Sequence, residues 1–231
     1  MLSIRNLSFS YGTIRTLRDI DMTMEKGRVS CILGRNGVGK TTLLKNIMGV
    51  LKPSRGSIVK GDQDLTRLTA YRRARLGLGY VPQGRQVFPK LTVADNLRVA
   101  LEGRRDRLRR IPAETFDLFP VLGDMAKRMA GDLSGGQQQQ LAIARALVGS
   151  PEVLLLDEPT EGVQPNIIDE IGQVLRRLVA ERGITIVLVE QYLGFVKEYG
   201  HNFYVLNRGR VVAEGETSKL SPGLISKHLS V

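Results

Sequence analysis

Tryptophan is absent from this 231-residue chain, and aromatic residues make up only 5% of it. A surface that stacks nucleobases needs exposed rings, so a platform for nucleic acid is not expected. Cysteine occurs once, at Cys31, and histidine twice, at His201 and His228. One cysteine makes no disulfide within the chain, and this set has no metal-site spacing. No apolar run reaches the length of a membrane span. The first residues, Met-Leu-Ser-Ile-Arg, carry no signal-peptide hydrophobic stretch, so a cytoplasmic location is expected. Acidic residues are also in deficit: 23 Asp and Glu face 34 Lys and Arg, a formal charge of +11. The densest basic run, Arg104-Arg105-Asp106-Arg107-Leu108-Arg109-Arg110, contains no aromatic residue. Such a run is as readily a solvated helix face, but the overall charge suits work against an anionic membrane surface.

What is present is more specific. With 42% hydrophobic and 25% charged residues, the chain can bury one good core, with room for a small subdomain. Residues 34 to 41 read Gly-Arg-Asn-Gly-Val-Gly-Lys-Thr, the G-x-x-x-x-G-K-[ST] spacing of a phosphate loop. The apolar run Val29-Ser30-Cys31-Ile32-Leu33 precedes it, and residues 42–48 follow with helical character. Strand, glycine-rich turn and helix N-terminus would aim several backbone N–H groups at one point, which favours a polyphosphate. Gly34, Gly37 and Gly39 let the chain turn without a Cβ. Lys40 can reach the β- and γ-phosphates, and the Thr41 hydroxyl can bind Mg²⁺. The candidate nucleotide-binding residues here are Gly34, Arg35, Asn36, Gly37, Val38, Gly39, Lys40, Thr41 and Thr42.

A second apolar run, Val153-Leu154-Leu155-Leu156, ends in Asp157-Glu158, as a buried parallel strand with an acidic end should. Asp157 is placed to hold Mg²⁺, directly or through water. Glu158 can orient or deprotonate an attacking water. Upstream, Leu133-Ser134-Gly135-Gly136-Gln137 opens a helix predicted over 137–148, a second small-residue helix start suited to an anion. Two half-sites for phosphate in one chain suit a symmetric dimer with two complete sites.

Together these motifs resemble the ATP-binding subunit of an ABC transporter, over essentially the whole chain. Leu133 to Gln137 match that family's signature motif. The resemblance implies that Tyr11 stacks on adenine and that Gln83, in Pro82-Gln83, touches Mg²⁺ and couples to the membrane subunits. It also implies that Lys52-Pro53-Ser54-Arg55-Gly56 is the turn after the phosphate-loop helix. Ser134, Gly135, Gly136 and Gln137 would complete the ATP site of the partner in a head-to-tail dimer. The expected fold is α/β, a P-loop NTPase (RecA-like) core with a mainly parallel sheet, an N-terminal antiparallel β subdomain and a helical subdomain. Residues 1–83 and 137–231 would form the nucleotide-binding core, and 84–136 the helical subdomain. The implied ligands are ATP and Mg²⁺. The implied partners are a second ABC ATPase subunit, identical or different, two integral membrane permease subunits and a periplasmic solute-binding protein. The implied location is peripheral, on the cytoplasmic face of the inner membrane.

Along the chain, residues 2–9 alternate like an exposed edge strand, and 14–24 continue a small antiparallel sheet. Residues 29–81 hold the phosphate-loop core, and 84–132 turn helical, with a helix starting in 91–97. A helix over 165–182, a strand over 184–189 and a hairpin around Asn207-Arg208-Gly209 complete a parallel α/β pattern. Two stretches depart from the family. Where it usually has Glu-His after the last buried strand, this chain has Glu190-Gln191, so Gln191 would sense the γ-phosphate as a neutral donor. The segment Pro159-Thr160-Glu161-Gly162-Val163-Gln164-Pro165 lacks the usual aspartate of the dimer contact. Val189-Glu190-Gln191 and residues 84–93 resemble the smaller ATPase of the importers for branched-chain amino acids and urea. Pro82-Gln83-Gly84-Arg85, the run Gln137-Gln138-Gln139-Gln140 and Glu161-Gly162-Val163-Gln164-Pro165 sit nearer the urea branch. An exporter or lipopolysaccharide-trafficking ATPase, and a soluble non-transport ABC ATPase, remain open alternatives.

Overall fold

The computed structural model describes residues 1–104, 106–221 and 223. Arg105 of the basic run and His228 lie outside the described residues. Two sheets share the chain. The first is built from β1 (Leu2–Tyr11), β2 (Ile14–Met24), β4 (Arg55–Lys60) and β5 (Gln63–Asp64). The second contains β3 (Val29–Leu33), β6 (Leu78–Val81), β7 (Val153–Asp157), β8 (Thr185–Val189), β9 (Asn202–Asn207) and β10 (Arg210–Glu216). Helix α1 (Lys40–Met48) follows β3, and α2 (Ala70–Arg75) precedes β6. Then come α3 (Val93–Val99), α4 (Glu114–Leu118), α5 (Pro120–Asp124) and α6 (Gly135–Val148), with α7 (Pro165–Arg182) and α8 (Leu193–Tyr199) flanking β8.

The large sheet has the order β10-β9-β3-β8-β7-β6. Its strands β9, β3, β8, β7 and β6 are parallel, and β10 closes the edge antiparallel to β9. Every residue of β3, β7 and β8 is buried, as helix-covered parallel strands require. Alternate side chains feed two cores. Cys31, Leu154, Leu156, Ile186 and Leu188 enter the core shared with α6 and α7. Ile32, Leu155, Val187 and Val189 enter the core shared with α1 and the antiparallel sheet. Because these five strands run the same way, the segments after β3, β6, β7 and β8 all leave at one edge.

Several expectations need correction. Strand β1 is not an edge: it lies between β2 and β4 in the order β2-β1-β4-β5. Residues 55–64 leave the phosphate-loop core: β4 pairs with β1 and β5 with β4, so the N-terminal sheet has four strands. The signature helix begins at Gly135, two residues early. Within the glutamine run Gln139 and Gln140 are buried, and Gln140 donates to Glu170 Oε2 at 2.6 Å. The described part of the basic run forms no α-helix. There Arg104 pairs with Asp106 and donates to the Val148 carbonyl at 2.8 Å. The hairpin at 207–209 is present, with Arg208 and Gly209 at φ 45° and 75°, the primed-turn geometry that matches strand twist.

Helix α1 ends at Gly49, in the left-handed region with φ 82°. The cation that closes this end is Arg73, fully buried in α2. It donates to the carbonyls of Asn46 and Ile47 at 2.7 Å, of Thr66 at 3.0 Å and of Leu68 at 3.1 Å. Burial pushes its guanidinium below the usual value, with the Asp64 charge opposing. A cation over the last carbonyls of a helix is favourable, and it holds α2 against the phosphate-loop helix. Arg73→Met removes the guanidinium donors from all four carbonyls, of which that of Asn46 keeps the Gly49 N–H at 3.1 Å. Chemical denaturation should show a loss of about 3 kcal/mol, and a loss near zero would contradict this account of the α1 terminus.

Candidate active site

The turn from β3 into α1 is steric at its root. Gly34, Gly37 and Gly39 adopt φ of 151°, 79° and 109°. A Cβ on Gly34 would stand 2.5 Å from the Leu206 carbonyl oxygen, and one on Gly39 would stand 3.0 Å from Leu17 Cδ2. Gly39 caps α1 without a side-chain acceptor, so the first N–H groups of the helix keep no intrachain side-chain partner at the cap. Lys40 is only 5% exposed, and its Nζ donates to the carbonyls of Gly34 (2.8 Å) and Arg35 (3.1 Å). The loop thus curls around its own lysine.

Strand β7 delivers the two acids to the same edge. Asp157 Oδ1 accepts from Thr41 Oγ1 at 3.2 Å, and Oδ2 accepts from Tyr80 at 3.4 Å. Burial raises the Asp157 carboxyl above the ordinary range. The Thr41 hydrogen bond opposes this and the Glu158 charge adds to it. Burial and the Asp157 charge push the Tyr80 hydroxyl upward as well, so it stays a neutral donor. Thr41 and Asp157 present hard oxygen atoms side by side, the donor type Mg²⁺ takes when phosphates and water fill its other positions.

Glu158 is 9% exposed and sits at φ 50°, a conformation that costs a non-glycine residue roughly 1 to 3 kcal/mol and collects at functional sites. Its backbone N–H is held by the Val189 carbonyl at 2.9 Å. Lys40 Nζ lies 3.4 Å from Oε1, Gln191 Nε2 donates to Oε1 at 2.7 Å, and Gln83 Nε2 donates to Oε2 at 3.0 Å. Gln191 also donates to Asn36 Oδ1 at 2.8 Å, tying the phosphate loop to the β8 loop. The carboxylate, Asn36 and Gln191 line a cleft of about 580 Å³ with Thr160, Glu161, Asp169, Glu190 and Tyr192.

The remaining expected residues lie on the β1–β2 hairpin, in the loop itself and at the start of α6. Tyr11 stands at the tip of the β1–β2 hairpin, 48% exposed, its ring edge-on to Phe9 at 4.8 Å. Arg35, Val38 and Thr42 complete the loop and first helical turn. Ser134 caps α6: its Oγ accepts from the Gln137 N–H at 3.3 Å, and Gln137 Oε1 accepts from the Ser134 N–H at 3.0 Å. Gly135 and Gly136 are pressed against neighbours. A Cβ on Gly135 would meet Arg85 Nη1 at 2.7 Å, and one on Gly136 would meet Ile167 at 3.0 Å. Arg85 donates to the Gly162 carbonyl at 3.0 Å, so it bridges the signature helix and the loop before α7. His201 is at the start of β9, where its Nδ1 accepts from the Val29 N–H at 3.0 Å; burial lowers its pKa. It anchors the sheet and does not stand in for the absent histidine. Sequence reasoning missed Tyr80, Arg85, Glu161 and Glu190. Only Glu190 carried a signal, an acid closing an apolar strand just as Asp157 and Glu158 do.

The geometry joins a phosphate loop to paired carboxylates, and comparison with known proteins names the lineage. The ABC transporter family profile matches residues 17–161. The high-affinity branched-chain amino acid transport ATP-binding protein BraG of Pseudomonas aeruginosa is 39% identical over 215 residues, covering 92% of this chain and 91% of that protein. The chain belongs to the ABC transporter family, as an ATPase. The probable branched-chain amino acid transport ATP-binding protein LivF of Archaeoglobus fulgidus is 37% identical over 225 residues, covering 95% and 94%. Among solved ABC cassettes, the dimeric post-hydrolysis state of MJ0796 bound to ADP and Pi has a TM-score of 0.84 at 27% identity, covering 94% of this chain and 99% of that one.

For this ABC ATPase, the bond from Gln191 to Glu158 makes a test possible. Gln191→Ala should cut hydrolysis by roughly a hundredfold while changing ATP affinity far less, as loss of one donor to developing charge does. Glutamine does not titrate, so Gln191→His should introduce a step in turnover near its own pKa, about 6 to 7. Steady-state turnover across pH, beside equilibrium nucleotide binding, reads both. Wild-type turnover in Gln191→Ala would remove this residue from the chemistry.

Proposed function

We propose that the chain is the ATP-hydrolysing subunit of an ABC importer for branched-chain amino acids or urea, working peripherally on a membrane permease. The observation that carries the catalytic reading is the Glu158 carboxylate, poised beside Lys40 and held by Gln83 and Gln191. Backbone N–H groups of residues 34 to 42 would cradle the ATP phosphates, with Lys40 turning from the loop carbonyls to the β- and γ-oxygens. Tyr11 would pack on the adenine. Thr41 and Asp157, with Gln83 nearby, would hold Mg²⁺, which supplies neutralisation of phosphate charge. Glu158 would orient the attacking water and accept its proton, and Gln191 would donate to the γ-phosphate. Ser134, Gly135, Gly136 and Gln137 would serve the ATP of a second ABC ATPase subunit, identical or related, with two permease subunits and a periplasmic binding protein completing the importer. Among the described residues no helix is long and apolar enough to cross a membrane, which suits a peripheral subunit.

Three substitutions separate these roles. Glu158→Gln should retain ATP affinity and lose nearly all turnover, because the near-isosteric amide removes only the base. Lys40→Ala should lose affinity itself. Gly136→Asp should leave monomer binding intact and block turnover, since at the start of the signature helix its Cβ would press on Ile167 and its carboxylate would repel a partner's γ-phosphate. Near-normal hydrolysis in Glu158→Gln would sink the assignment, and equal loss of monomer binding in Lys40→Ala and Gly136→Asp would argue against a shared site.

The solute is read from relatives and motifs. The functions of BraG and LivF support branched-chain amino acids, whereas the segments 82–85 and 161–165 lean toward urea. Uptake of labelled leucine and labelled urea by cells with and without this gene decides between them. One of the two should fall to background on deletion, and unchanged uptake of both would overturn the solute reading.

A further inference from the structure

Glu190 precedes Gln191 at the end of β8 and is 2% exposed. A buried carboxylate is costly unless its lone pairs are filled. Here neutral donors fill them. Oε1 accepts from the Thr160 N–H at 3.1 Å and from Thr160 Oγ1 at 2.7 Å. Oε2 accepts from the N–H groups of Gln191 at 2.8 Å and Tyr192 at 3.1 Å. Two successive N–H groups around one oxygen form an anion nest. Thr160 lies two residues after Glu158, and Gln191 lies directly after Glu190. A single carboxylate therefore ties the loop after β7 to the loop after β8, and the residues it ties are those that flank the 2.7 Å contact between Gln191 Nε2 and Glu158 Oε1.

We propose that Glu190 is a positioning residue for hydrolysis: its carboxylate clamps Thr160 to the Gln191–Tyr192 backbone and so sets the reach of Gln191 to Glu158. It acts through these residues, with both oxygens turned to the loops. The inference rests on the roles proposed for Glu158 and Gln191. The same clamp also links Gln191 to the loop that enters α7, the loop held by Arg85 through Gly162 and by Gln83 through Glu161 (2.9 Å).

The purified full chain tests this with paired measurements of turnover and ATP affinity. Glu190→Gln keeps the volume but replaces one acceptor by an NH₂ group facing two donors, so the clamp opens on one side. Turnover should fall by roughly tenfold or more while the ATP dissociation constant stays within about threefold, the pattern of a lost supporting contact. Thr160→Val removes the hydroxyl donor and should lower turnover in the same way, whereas Thr160→Ser restores it. The double variant Glu190→Gln/Thr160→Val should be no slower than Glu190→Gln alone, because both cut one clamp. Turnover in Glu190→Gln within about twofold of wild type, or a loss of affinity as large as the loss of turnover, overturns the inference. Should Glu190→Gln fail to fold, the Thr160 pair decides, and equal turnover in Thr160→Val and wild type overturns it. Glu158→Gln run alongside separates the two readings. If it is dead while Glu190→Gln is normal, only the clamp falls; if both are normal, the site reading falls with it.

Discussion

A buried carboxylate that must be neutralised at one edge of a parallel sheet governs this molecule. Glu158 meets Lys40 from the phosphate-loop helix, Gln83 from the segment after β6 and Gln191 from the segment after β8. Three elements far apart in sequence converge because one charge needs partners where water is scarce. The same demand holds Lys40. A 5% exposed ammonium is tolerable only because two loop carbonyls and the carboxylate surround it. Phosphates arriving at the loop would offer that ammonium a stronger partner, and Glu158 would be released toward water with its glutamines still attached.

The fold exists to hold that edge still. Alternation along β3, β7 and β8 fills a core on each face, so a one-residue slip in any of them would turn its apolar side chains to the wrong layer. Each strand is thereby locked in register, and the residue after each strand is locked with it. Arg73 plays the matching part at the far end of α1, fixing the helix that carries Lys40 and Thr41. The strained φ of Glu158 is held from the Val189 carbonyl, in the neighbouring strand.

What the sequence made legible is what is local. The phosphate loop, Asp157-Glu158 and the signature are contiguous, and each has a flanking periodicity that predicts its setting. The parallel sheet, the 165–182 helix and the closing hairpin follow from the same patterns. Pairing between distant segments was not legible. The alternation of β1 says one face is buried, but it does not say that 55–60 will cover its open edge. The Gln137–Gln140 run reads as polar until Glu170 arrives from α7 to bind Gln140. Glu190 was visible only as half of the departure Glu-Gln, and its four donors come from Thr160 and from its own next two residues. Arg73 sits in an arginine-rich stretch, and the approach of α1 gives it a reason to be buried.

The central claim is that Lys40 is a stored cation exchanged between the loop and the nucleotide, leaving Glu158 free to act on water. A crystal structure of the wild-type chain with Mg²⁺ and a non-hydrolysable ATP analogue tests it directly. The account predicts Lys40 Nζ on the β- and γ-phosphate oxygens and gone from the carbonyls of Gly34 and Arg35. It also predicts Gln191 Nε2 within hydrogen-bonding reach of the γ-phosphate. Lys40 still bonded to the loop carbonyls with nucleotide in place, or Gln191 swung away from both Glu158 and the γ-phosphate, would contradict it.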